Sequence, residues 1–133
     1  MALMKFREAN QVKWVGVRPG HNGTFVSAQG MCDAVAWVTF YTVPANKWLF
    51  ITHSFLTARS AAVLGETSML VRTEGNDHRI HMLMFDAAAN TELAVDTSHP
   101  FPIEVSTGGL VRLLISPLGV KCYGGFNGYL IDV

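Results

Sequence analysis

Charge is what this chain has least of. Asp, Glu, Lys and Arg make up 15% of its 133 residues, against about 25% in an average soluble domain. Ten basic and ten acidic residues cancel to a formal net charge of zero. They are dispersed, with no block of one sign, so neither a nucleic-acid backbone nor an anionic membrane is expected as a partner. A small domain exposes much surface for its volume and normally covers it with charge. This one either covers it with Ser, Thr, Asn and Gly or has it covered by other protein chains.

Long apolar runs are also missing. The longest stretch without Asp, Glu, Lys, Arg or His runs from Ala34 to Asn46 and contains Pro44; a membrane helix needs about 18 apolar residues. The opening residues, MALMKFREANQ, place their basic groups after a short apolar piece, unlike a secretory signal. A reducing cytoplasm is therefore the expected site of synthesis. There Cys32 and Cys122, the two cysteines, are expected to be free, buried and inert, with a disulfide between them as the alternative. Without a secretory route, Asn22-Gly23-Thr24 is a glycine-bearing turn and no glycan site. At this length the chain can bury enough surface to fold without a disulfide or metal.

Helical periodicity is scarce. Residues 4–11 could form one helical turn, and Ala87-Ala88-Ala89 is too short for a helix on its own. What is present is a succession of strand-like segments, separated by turn residues at intervals of about ten. The pattern predicts strands over 12–18, 24–28, 34–42, 47–59, 66–73, 78–86, 92–97, 101–105, 110–116 and 120–133. Within 47–59, alternation sets Trp48, Phe50, Thr52, Ser54 and Leu56 against Leu49, Ile51, His53 and Phe55. Within 78–86 it sets Ile80, Met82 and Met84 against His81, Leu83 and Phe85. Pro100 and Pro102 around Phe101 suit a sheet edge. Val43-Pro44-Ala45-Asn46 reads as a turn between two core strands, with Pro fixing φ and Asn tolerating positive φ. Glu74-Gly75-Asn76-Asp77 reads as a hairpin loop.

Strands apolar on both faces predict an all-β fold, an antiparallel two-sheet β-sandwich of jelly-roll type. An immunoglobulin-like sandwich is the alternative, although Trp37 follows Cys32 too closely for that fold's Cys–Trp–Cys core. The domain organisation expected is an N-terminal arm, 1–11, and a single β-sandwich domain, 12–133.

Catalytic patterns are absent. No Gly-x-Ser-x-Gly elbow occurs. The five histidines include no His-x-His pair, and His78 and His81 would point to opposite faces of a strand. His53, inside an apolar strand, reads as a hydrogen-bonded core or interface histidine. Gly124-Gly125-Phe126-Asn127-Gly128 lacks the Lys-Ser/Thr of a phosphate loop and reads as a bulged strand packed closely through its glycines. Trp37 is assigned to the core; Trp14 and Trp48 are candidates for a sugar-stacking platform. No catalytic residue, cofactor or metal is expected.

The order of turns carries one resemblance. Tyr41-Thr42-Val43-Pro44-Ala45-Asn46-Lys47, then Phe101-Pro102-Ile103-Glu104-Val105 before Gly108-Gly109, then the closing Gly128-Tyr129 strand, is similar to small jelly-roll structural proteins of tailed-bacteriophage virions. The similarity spans residues 40–133. Asn46 stands where that family carries glycine. The resemblance implies a non-enzymatic virion protein, a capsid cement or decoration protein or a tail component, assembled in the host cytoplasm. It implies a homo-oligomer, a trimer, on a major capsid protein or other virion proteins. Leu3, Met4 and Phe6 would then form an arm on a neighbouring subunit, with Trp14, Trp48 and His53 at the interface. A receptor- or carbohydrate-binding module built on Trp14 and Trp48, with loops around His21 and His99, is the second expectation. A metal-dependent jelly-roll enzyme is the third.

Overall fold

The computed structural model describes residues 23–60, 64–86, 91–116 and 120–133. The expected arm 1–11, the strand 12–18, His21 and the turn Pro117-Leu118-Gly119 lie outside these residues. Eight strands are described: β1 (Thr24–Cys32), β2 (Val38–Thr42), β3 (Lys47–Ser60), β4 (Gly65–Thr73), β5 (Asn76–Phe85), β6 (Thr91–Val105), β7 (Leu110–Ser116) and β8 (Val120–Asp132). They form two four-stranded antiparallel sheets, ordered β1-β8-β3-β6 and β2-β7-β4-β5. Every connection between consecutive strands crosses from one sheet to the other, except the β4–β5 hairpin. This is the jelly-roll sandwich that the strand pattern predicts.

The immunoglobulin alternative is excluded by the same topology. Cys32 and Cys122 face each other on one rung of the β1–β8 ladder, within a single sheet. Both are free and buried.

The core lies between the sheets. Leu49, Ile51 and Leu56 of β3 and Phe126 of β8 meet Met69 and Val71 of β4 and Val111, Leu113 and Ile115 of β7, all essentially without solvent contact. Phe126 is held between Phe40, at 6.1 Å, and the edge of Tyr41, at 5.2 Å and 80°. Gly124 faces this core: a Cβ there would stand 2.7 Å from a methyl of Leu113 in the opposite sheet.

Three local features differ from the sequence expectation. The bulge expected at the glycines of β8 sits instead in β3, where Thr52 is the extra residue between Ile51 and His53. It switches the alternation of β3, so that Leu49, Ile51, Ser54 and Leu56 all point inward. A second extra residue, Ile80 in β5, packs against the core rather than beside Met82 and Met84. It also puts His78 and His81 on the rungs of Val71 and Met69, both inward positions of β4. His78 lies near the strand end and is exposed. Finally, β2 is a short edge strand, and residues 34–36 bend before it. Trp37 therefore falls outside the strand, 43% exposed, with the Arg112 guanidinium 6.0 Å from its ring.

The Pro44 turn links edge strand β2 to central strand β3 of the opposite sheet, so it is a crossover and no hairpin. Asn46 has φ 60°, a left-handed conformation that asparagine tolerates. The buried Val43 exchanges backbone hydrogen bonds with Gly108 and Gly109, and Thr107 Oγ1 donates to Lys47 O at 2.6 Å. The crossover and the β6–β7 turn are thus tied together at one end of the sandwich. β6 is an edge strand, as Pro100 and Pro102 predict, and forms one strand rather than two.

Candidate functional site

Two places on this scaffold concentrate unusual side chains: the outer face of the β1-β8-β3-β6 sheet and a polar cluster in the interior.

The outer face follows from the pleat. Residues alternating with the buried Leu49, Ile51 and Leu56 point away from the core, and ladder register aligns them across strands. Phe25 stands opposite Tyr129, and Tyr129 opposite Phe50, so one aromatic row crosses three strands. The Phe25 and Tyr129 rings meet edge-to-face at 5.7 Å and 73°. Trp48 pairs with Ile131 on the adjacent outward rung. Farther along, Phe55 lies over Gly125, where a Cβ would come within 2.7 Å of the ring. That glycine is required for the aromatic side chain to lie flat on the sheet. Phe25 is 59% exposed, and Trp48, Phe50 and Phe55 are half-buried.

Charge on this face comprises three pairs, together with the exposed Glu104 on the Phe50 rung and Lys121 on the Arg59 rung. Lys47 bridges Asp132, His53 bonds Asp96, and Arg59 reaches Glu92 at 2.9 Å. A shallow groove of about 440 Å³ lies beside the Arg59–Glu92 pair, lined also by Met31, Lys121 and Tyr123. Neither Trp37 nor Trp48 lines it.

Of the interface residues expected from sequence, Trp48 and His53 both fall on this outer face. His53 is hydrogen-bonded there, to Asp96 of the neighbouring β6. Leu3, Met4, Phe6 and Trp14 lie outside the described residues. Phe25, Phe50 and Tyr129 were not singled out by sequence reasoning. The detectable signal was their alternation with buried residues, which the Thr52 bulge interrupts.

The interior cluster is different in kind. Ser54 Oγ, fully buried, lies 2.7 Å from His81 Nε2 and 2.7 Å from His99 Nε2. His81 comes from β5 of the opposite sheet and His99 from β6 beside β3. The two rings are 6.3 Å apart between centroids. Burial pushes both imidazoles below their ordinary pKa, and the neighbouring His99 lowers His81 further. Ser54 has no access to solvent, so it cannot meet a substrate as a nucleophile. Among the described residues no group of three or more His, Cys, Asp and Glu side chains could hold a metal ion.

No protein-family model and no curated protein matches the chain. Among solved structures it is similar to a chain of the "Cyanophage Pam1 capsid asymmetric unit", at 13% identity and a TM-score of 0.49, over 97% of this chain and 100% of that one.

Proposed function

We propose that this chain is a non-enzymatic structural protein of a bacteriophage virion, a cement or decoration protein that stabilises a capsid shell through subunit contacts. It assembles as a homotrimer with a major capsid protein or other virion proteins, in the host cytoplasm. The observation that carries this reading is the aromatic row Phe25–Tyr129–Phe50, with Trp48 and Ile131 beside it. This row lies on the outer face of a sheet in a chain with only 15% charged residues. An apolar surface of this kind is tolerable when neighbouring subunits cover it. Burying about 800 Å² of apolar area would contribute on the order of 20 kcal/mol before the entropy of association is subtracted. The jelly roll and the Pro44 turn, with Asn46 at φ 60° in the family's glycine position, support the same reading. Trp48 and His53 contribute to the contact from the outer face. Leu3, Met4, Phe6 and Trp14 contribute from the N-terminal arm.

Native mass tests it. The wild-type chain is expected to run as a trimer at micromolar concentration. Phe25→Ser combined with Tyr129→Ser is expected to give a monomer with unchanged far-UV circular dichroism. A wild-type monomer with no affinity for a capsid or tail lattice overturns the reading.

A further inference from the structure

The Ser54–His81–His99 cluster has no part in the proposed contact surface, yet it places two titratable groups between the sheets. Its proton inventory is constrained. A serine hydroxyl carries one hydrogen and two acceptor lone pairs, and a neutral imidazole carries one N–H. With both rings neutral, one Nε2–H donates to Ser54 Oγ, and the Ser54 hydroxyl donates to the other, unprotonated Nε2. All three partners are then satisfied. A first added proton fits on the free Nδ1 of the donating ring and leaves this chain of bonds intact. A second must go to the accepting Nε2. Both rings then donate to Ser54, its hydrogen loses its acceptor, and two like charges stand with ring centroids 6.3 Å apart inside the sandwich.

The geometry points to an acid-operated latch: the shared Ser54 hydroxyl ties β5 of one sheet to β3 and β6 of the other while the histidines are neutral, and protonation of both releases that flank. β5 and β6 are edge strands of the two sheets on the same side of the sandwich, so among the described residues no further strand holds them there. The surrounding charges do not rescue the protonated state. On β3 the nearest titratable neighbour is His53, which opposes protonation of both rings. On β6 it is Asp96, which favours protonation of His81 but is bonded to His53 on the outer face. On β5, His78 and Arg79 flank the site and are exposed. The facing rung of β4 carries Met69, and β8 opposes Ser54 with Phe126, both uncharged.

The sign of the pH dependence follows. The unfolded chain takes up protons at its histidines as pH falls through 6.5, while His81 and His99 in the folded chain resist until lower pH. Stability is therefore full above pH 6.5 and falls as pH drops from there through the lowered folded values.

Two measurements on the wild-type chain test this. In an NMR titration of the imidazole ring protons, His81 and His99 are expected to titrate below 6.5. Amide hydrogen exchange, corrected for its intrinsic pH dependence, is expected to rise about tenfold or more in β5 and β6 relative to β7 between pH 7.5 and 5. His81→Gln, a neutral hydrogen-bonding replacement, is expected to remove that selective rise. Titration of both rings at or above 6.5, or equal loss of protection in all strands, overturns the proposal. So does an His81→Gln variant that keeps the selective rise. If that variant does not fold, the two wild-type measurements decide alone.

Discussion

Cys32 and Cys122 share the last rung of the β1–β8 ladder, on the side that faces the core. Cys32 Sγ donates to Ala34 O at 3.3 Å, and burial pushes the Cys122 thiol up to about 12. The thiolate is the reactive form, so at pH 8 Cys122 carries about a thousandfold less of it than a thiol at its ordinary value. In the native protein neither cysteine should react with a colorimetric thiol reagent on the minute scale, and two equivalents should react after denaturation. Rapid reaction without denaturant would contradict the buried pair. At this scale the sequence was readable wherever the determinant is local. Asn46 is such a case, because the turn around Pro44 fixes its φ from neighbouring residues alone. The Ser54–His81–His99 cluster is the opposite case. Its members lie 27 and 45 positions from the serine along the chain, so only the stacking of two sheets brings them together. The spacing of His81 to His78 says nothing about a serine on another strand.

Elements were legible in number and type, and their edges and faces less so. The boundaries of β3, β4, β7 and β8 follow the apolar runs to within a residue or two. The face assignments of β3 and β5 failed at Thr52 and Ile80, because one extra residue inverts every side chain beyond it. Nothing in the composition around either position marks the insertion. The β4–β5 hairpin is tighter than its four-residue turn signal: Thr73 pairs directly with Asn76, leaving a loop of Glu74 and Gly75. Both have positive φ, 51° and 80°, the geometry of a turn that favours Asn-Gly. Glutamate is strained there, because its Cβ crowds the backbone in the left-handed region. Glu74→Asn should therefore stabilise the domain by about 0.5–1 kcal/mol, read as a higher urea midpoint at unchanged slope. A fall in the midpoint would show that the Glu74 side chain contributes more than its backbone strain costs.

For the whole molecule, the low charge and the two-sided apolar strands pointed to a sandwich with covered surfaces. The jelly-roll strand order bears out the first half. A covering partner is not readable in the sequence, because a contact surface would carry no local signature beyond exposed aromatics. The proposed arm adds a test at this scale. Removing residues 1–11 should change the unfolding free energy by less than about 1 kcal/mol, while the trimeric fraction at micromolar concentration falls. A large loss of stability would instead make those residues part of the sandwich itself.

The pairing of β1 with β8 has a consequence in time. The partner of the first described strand is the last described one, and among the described connections only the β4–β5 hairpin can close locally. Long-range pairing of this kind places folding in the millisecond-to-second range. Until β8 emerges, β1 and β3 lack the strand that joins them, and their backbone edges are open to other chains. A chain with this strand order completes the β1-β8-β3-β6 sheet only once β8 has left the ribosome.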